Sequence, residues 1–146
     1  MNLKIHRAEN SFDLENCLNI RNQVFTIEKG VPKDIEVDGF DVLDSLCDHF
    51  LILNDSKPCG ALRCMNVDEE SVQVQRFCIL KDFRNLGIGK VAMGFLEDYY
   101  KRKGKSKIQM DSKYSVYKFY EKCGYVKISD IFTEANVDHV KMVKNI

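Results

Sequence analysis

Apolar positions along the chain change period several times, and each change marks an element. Leu3-Lys4-Ile5-His6-Arg7 alternates as a first strand does. Leu14, Cys17, Leu18, Val24 and Phe25 then recur at helical spacing, with Ser11 as the expected N-cap and Gly30-Val31-Pro32 as the break. From Asp34 to Asp44 the chain is rich in acids and too poor in apolar side chains for a core element. An exposed loop or a short irregular helix is expected there. Apolar strands resume at His49-Phe50-Leu51-Ile52-Leu53 and Gly60-Ala61-Leu62-Arg63-Cys64-Met65, and the turn-forming Asn54-Asp55-Ser56-Lys57 between them predicts a hairpin. A third strand spans Ser71 to Ile79.

The clearest helix follows. Ile88, Val91, Ala92, Phe95, Leu96 and Tyr99 fall on one face, and Gly104 after Lys101-Arg102-Lys103 stops it. Ile108 and Met110 mark another strand. Val116, Phe119, Tyr120 and Cys123 share one face of a shorter helix closed by Gly124. Further strands are expected from Tyr125 and from His139 to Lys144. Antiparallel strands first, then strand, helix, strand, helix, strand, give a mixed sheet covered by helices, in the α/β (α+β) class. No linker, repeat or low-complexity tract interrupts residues 1–146, so one domain is expected.

Composition narrows the functions. A chain of 146 residues, 45% hydrophobic and 30% charged, can bury a conventional core without disulfide or metal. Lys plus Arg equals Asp plus Glu at 22 each, which argues against nucleic acid as a partner. No apolar run suits a signal peptide or a membrane span, so no membrane partner and a cytoplasmic location are expected. The six cysteines form no C-x-x-C pair and read as reduced, mostly buried side chains with no metal bound.

Between the third strand and the clearest helix lies Phe83-Arg84-Asn85-Leu86-Gly87-Ile88-Gly89-Lys90. Glycines at alternate positions let the backbone bend tightly, and successive amides can then turn toward one anion. The helix start adds its own free donors and the positive end of its dipole.

In that place Arg84-Asn85-Leu86-Gly87-Ile88-Gly89 follows the pattern Arg/Gln-x-x-Gly-x-Gly/Ala, and Phe119-Tyr120-Glu121-Lys122-Cys123-Gly124-Tyr125 comes after it at a fitting distance. Together they resemble the GNAT superfamily of acyl-CoA-dependent N-acetyltransferases. Arg21-x-x-Val24-Phe25, Glu28-x-Gly30-Val31-Pro32, Phe132-Thr133-Glu134-Ala135, His139 and Met142 resemble more narrowly its ElaA/YjcF-like branch. The resemblance implies the GNAT fold, a mixed and mostly antiparallel sheet of six or seven strands flanked by about four helices. It also implies acetyl-CoA as co-substrate, no metal, and direct attack by a primary amine of a small molecule or peptide in a ternary complex. A homodimer is left open. The P-loop pattern Gly-x-x-x-x-Gly-Lys-Ser/Thr is missing.

The same resemblance distributes roles. The amides of Leu86, Gly87, Ile88, Gly89 and Lys90 are expected at the CoA diphosphate, with Arg84, Asn85 and Lys90 around it. The backbone of Phe77, Cys78 and Ile79 is expected to pair with the pantetheine amides, as an added strand would, with Phe119 nearby. Cys78, beside that path, raises a mixed disulfide with CoA as a further expectation. Tyr120 is either the acid that protonates the leaving thiolate or a core aromatic beside Val116 and Phe119. A lysine-like acceptor also needs a base, and Glu36, Asp38, Asp41, Glu134 and His139 are the candidates. His139 is otherwise a half-buried structural imidazole. Arg21, beside an apolar stripe, pairs with a carboxylate, meets a ligand or snorkels, and Asp41 stands with it on the acceptor side. A mostly acidic loop there favours a cationic acceptor.

Two positions depart from the family pattern. Asn85 stands where many relatives have glycine, and Lys113 where many have Asn or Gln. The second departure, with no unambiguous base, leaves a CoA-binding module without efficient transfer as the alternative function.

Overall fold

A computed structural model describes residues 1–146. Its eight strands form one sheet: β1 (Leu3–Arg7), β2 (Cys47–Asn54), β3 (Lys57–Asn66), β4 (Ser71–Ile79), β5 (Lys107–Lys113), β6 (Val126–Lys127), β7 (Phe132–Glu134) and β8 (Val137–Asn145). The spatial order is β1-β2-β3-β4-β5-β8-β6, with β7 also on β8. Only β4 and β5 pair in parallel, so the sheet is mixed and mostly antiparallel. The expected hairpin joins β2 to β3, with Asp55 and Ser56 at φ 49° and 68° as its two turn residues.

There are eight strands rather than six or seven. The addition is the β7–β8 hairpin, turned by Ala135 and Asn136 at φ 52° and 63°. Three residues of β7 are too few to register as an alternation.

Helices cover both faces. On one face α1 (Ser11–Arg21) packs Cys17 and Ile20 against Leu51, Ala61 and Cys78. Its N-cap is Asn10 rather than Ser11, because the Asn10 carboxamide oxygen accepts from the Asp13 amide at 2.8 Å. The helix widens into a π-helical stretch, Asn22–Glu28, and a single short turn follows as α2 (Lys33–Glu36). On the other face α3 (Ile88–Arg102) and α4 (Tyr117–Lys122) enclose the larger core of Phe50, Leu62, Val72, Met93, Leu96, Ile108 and their neighbours. Val116, expected on the inner face of the shorter helix, lies instead in a 3-10 turn before α4 and is exposed.

One irregularity governs the site. Val72 and Val74 of β4 face α3, but so do Phe77 and Ile79, while Cys78 faces α1. The parity slips because Arg76 bulges out of the β3–β4 ladder with φ 53°. β4 and β5 pair only from Ser71↔Lys107 to Gln73↔Gln109, and beyond that rung they separate.

Candidate functional site

The chain leaves β4 through a 3-10 turn, Lys81–Phe83, and reaches α3 by a loop with two left-handed residues, Asn85 at φ 63° and Gly87 at φ 81°. Asparagine tolerates that conformation better than most residues, which accounts for its place in the turn. Gly87 is the N-cap of α3 and has no side chain to satisfy the first turn. None of the six amides from Asn85 to Lys90 donates to a protein acceptor. A row of free donors thus ends on the positive pole of a 15-residue helix.

Arg84, Asn85 and Gly87 to Lys90 line a cleft of about 360 Å³ together with Ile79, Phe83, Phe119, Lys122 and Cys123. Gly89 is small for a specific reason, since a Cβ there would sit 3.0 Å from Cζ of Phe119. Phe119 in turn meets Phe77 edge to face at 6.4 Å. Leu86 and Lys90 are exposed at the tip and first turn.

Arg84 lines the cleft but its guanidinium is engaged within the protein. Its Nη1 and Nη2 donate to Glu28 at 2.7 Å and its Nε to the Ile79 carbonyl at 2.9 Å. The guanidinium is neutralised by Glu28 and holds the loop to the end of β4. Its charge at the anion site is shared with Glu28, beside Lys90 and the amides. Glu28 had been noted only as part of a motif.

Cys78 occupies the separated edge of β4 with its backbone, but its thiol points away into the α1 cluster. Burial pushes that thiol up to about 12. The expected mixed disulfide has no accessible thiolate to form it.

Tyr120 is 9% exposed in the larger core, with ring edges on Phe119 and Tyr125. Burial raises its phenol well above the ordinary value, so it stays protonated at neutral pH. Its hydroxyl has no hydrogen-bond partner in the protein, whereas Tyr100 and Tyr125 donate to Asp48 and Glu97.

The acidic segment is mostly exposed and starts in the short turn α2, as expected, but Glu36 and Asp41 are buried. Arg21, fully buried, donates to Glu36 Oε1 and Oε2, to Asp41 Oδ1 at 2.6 Å and Oδ2 at 3.0 Å, and to the Glu36 carbonyl. Arg63 bridges Asp38 and Asp41, and Arg76, from the bulge, reaches Glu36 at 3.0 Å and Asp38 at 3.6 Å. Three carboxylates thus face three guanidiniums between α1 and the sheet. Burial alone would raise Asp41, but hydrogen bonds from Arg21 and the Asp38 amide, with the charges of Arg21 and Arg63, hold it well below the usual carboxylate range.

This network corrects several expectations. Arg21 and Asp41 are partners of each other rather than acceptor contacts, and Glu36 and Asp38 accept hydrogen bonds from arginines, which leaves neither free to serve as a base. Three of the five carboxylates of the segment are thus matched by arginines, which leaves Asp34 and Asp44 outside the network. Arg63 and Arg76 went unremarked in the sequence, although an arginine between Leu62 and Cys64 was the available signal.

Near the end of β5 the picture differs. His139 of β8 pairs with Lys113 across the ladder. Its Nδ1–H donates to the Val137 carbonyl at 2.8 Å, its ring stacks on Phe132, and Nε2 lies 3.9 Å from Glu134 Oε2. The Lys113 side chain makes no hydrogen bond or ion pair. Burial, followed by the neighbouring charge of Lys29, lowers its ammonium pKa. No group of three or more His, Cys, Asp or Glu is placed to hold a metal, and no helix is long and apolar enough to cross a membrane.

Comparison with known proteins agrees with this geometry. A family model described as an acetyltransferase (GNAT) domain matches residues 43–146. YyaT of Bacillus subtilis is 36% identical over 99% of this chain and 97% of its own, and the N-acetyltransferase YjcF of the same organism is 30% identical over 94% and 96%. Among solved structures, Escherichia coli ElaA superposes with a TM-score of 0.81 at 19% identity, over 98% of each chain.

Proposed function

Because the chain belongs to the GNAT acetyltransferase family, in its ElaA/YjcF-like branch, we propose that it moves an acetyl group from acetyl-CoA to a primary amine by direct attack within a ternary complex. The observation that carries this reading is the row of six unbonded amides from Asn85 to Lys90, set beside the separated edge of β4. Acetyl-CoA supplies the activated thioester. The amides of the loop and the α3 dipole suit its diphosphate, each dipole contact contributing up to about 1–2 kcal/mol, and the free backbone edge at Phe77 to Ile79 suits its pantetheine amides. Phe77 and Phe119 wall the path.

Tyr120 is the group that returns a proton to the leaving thiolate, a role favoured by its protonated phenol and its unbonded hydroxyl. A lysine-like amine starts about three units above neutral pH, near 4 kcal/mol of deprotonation, whereas an α-amine near 8 costs little over ~1 kcal/mol. His139, its ring fixed by the Nδ1–H bond to the Val137 carbonyl, is the base suited to the first kind; the second needs little help. Glu36, Asp38 and Asp41 are tied to arginines and play no part as bases in this reading.

A CoA-binding module without efficient transfer is the second reading, favoured by Lys113 standing unpaired where relatives carry an amide. Two measurements separate the readings. Calorimetry should give a heat with acetyl-CoA that Gly87→Glu abolishes, and free CoA thiol should appear when acetyl-CoA is mixed with a panel of amines. Binding without thiol release on any amine would favour the module, and a heat unaffected by Gly87→Glu would remove the loop from the site.

A further inference from the structure

The cleft between the loop and α4 carries more positive charge than a diphosphate alone accounts for. Eleven residues line it, and its charged members are Arg84, Lys90 and Lys122, with no carboxylate among them. Glu28 answers Arg84. Lys90 and Lys122 form no ion pair and no side-chain hydrogen bond within the protein.

The acids of the neighbouring segments are placed elsewhere. Glu97 is held by Lys144 at 2.9 Å and by the Tyr125 hydroxyl at 3.1 Å. Asp82 and Glu28 line a separate hollow of about 190 Å³ with Gln23 and Val24, and Glu121, next to Lys122 on α4, is exposed and does not line the cleft.

One contact brings the two lysines to the same cavity. Gly89 lies so near Phe119 that a Cβ on it would be 3.0 Å from the ring, which seats the first turn of α3 against α4. Lys90 is the next residue of α3, and Lys122, three residues after Phe119, shares its side of α4. Phe119 also meets Phe77 of β4 edge to face. The wall thus runs from the opened edge of β4, through Phe77 and Phe119, to Lys122 at the end of α4.

We propose that Lys122, with Lys90 opposite it in the cleft, holds the 3′-phosphate of CoA, so that the protein selects its acyl donor by the phosphorylated ribose as well as by the diphosphate. The inference rests on the CoA reading above. With the pantetheine amides on the β4 edge and the diphosphate on the loop, the nucleotide continues toward α4, and its 3′-phosphate brings up to about two further negative charges for the lysines to meet. A compact ammonium suits such a group. A pantetheine thioester without that phosphate loses the contact.

Calorimetry with CoA and with 3′-dephospho-CoA tests it. The wild type is expected to bind CoA roughly tenfold more tightly, with a preference that shrinks as salt rises. Lys122→Gln should bring CoA down to the affinity of dephospho-CoA and leave the latter as it was, with an unmoved urea midpoint, and Lys90→Gln should give up part of the same preference. Equal wild-type affinities for the two ligands, or a Lys122→Gln loss that falls alike on both, would overturn it. Equal heats with both ligands would sink this inference and spare the CoA site; no heat with either would sink both.

Discussion

Arg21 is buried only because its guanidinium meets two carboxylates and a carbonyl, and taking it away leaves Glu36 and Asp41 charged inside the protein. Arg21→Leu should therefore destabilise the fold by about 3–5 kcal/mol, read as a lower urea midpoint. A midpoint like the wild type's would show that solvent reaches the network freely. The same network fixes the response to acid. Asp41 has a folded pKa below its ordinary 3.8, so its contribution is complete above that value and is lost as pH falls beneath it. His49, buried and donating to the Phe40 carbonyl, has its pKa lowered from 6.5, so it too favours the folded state at higher pH, and its loss starts earlier. Urea midpoints should fall from below about pH 6.5 and more steeply below about pH 4; a flat profile down to that point would contradict the assignment. That Arg21 had a partner was legible from its place beside an apolar stripe. Which partners was not, because Glu36 and Asp41 lie 15 and 20 residues away in a segment without periodicity. Tyr120, whose two readings the sequence left open, is tested by Tyr120→Phe, which should lower kcat about 100-fold with little change in CoA affinity. An unchanged kcat would leave it as core packing.

At the scale of elements, α3 with its loop was the most legible part, since the period of Ile88, Ala92, Phe95 and Leu96 and the two glycines both come from local geometry. What the sequence concealed was why the second glycine is needed. Gly89 gives room to Phe119 from α4, a contact made across about 30 residues that no local pattern encodes. Gly89→Ala should push that ring aside by a few tenths of an ångström and weaken CoA binding roughly tenfold, with urea stability changed far less. Calorimetry checks it, and unaltered affinity would mean the ring does not border the ligand. The β4 bulge was partly written in the chain, because Val72-x-Val74-x-x-Phe77-x-Ile79 slips parity at Arg76. Its consequence was not: the slip aims Arg76 at Glu36 and turns Phe77 and Ile79 toward α3. β7 stayed hidden because its pairing with β8 depends on a two-residue turn at Ala135-Asn136 rather than on an apolar alternation.

For the whole molecule, the mixed sheet with helices on both faces follows from the order of elements, and the family resemblance carried the same architecture. The charge balance did not follow from composition. Equal numbers of acids and bases conceal an uneven arrangement, in which Glu36, Asp38 and Asp41 of the acidic segment are paired with Arg21, Arg63 and Arg76, while β4 and β5 part beyond Gln73 and Gln109 to leave an opening. That opening, the free amides at the start of α3 and the protonated Tyr120 converge on acyl transfer. Mass spectrometry of an amine panel incubated with acetyl-CoA and the protein tests this most directly. The account predicts at least one N-acetylated amine, formed one for one with free CoA thiol and lost with Gly87→Glu; CoA bound tightly with every amine recovered unmodified would contradict it.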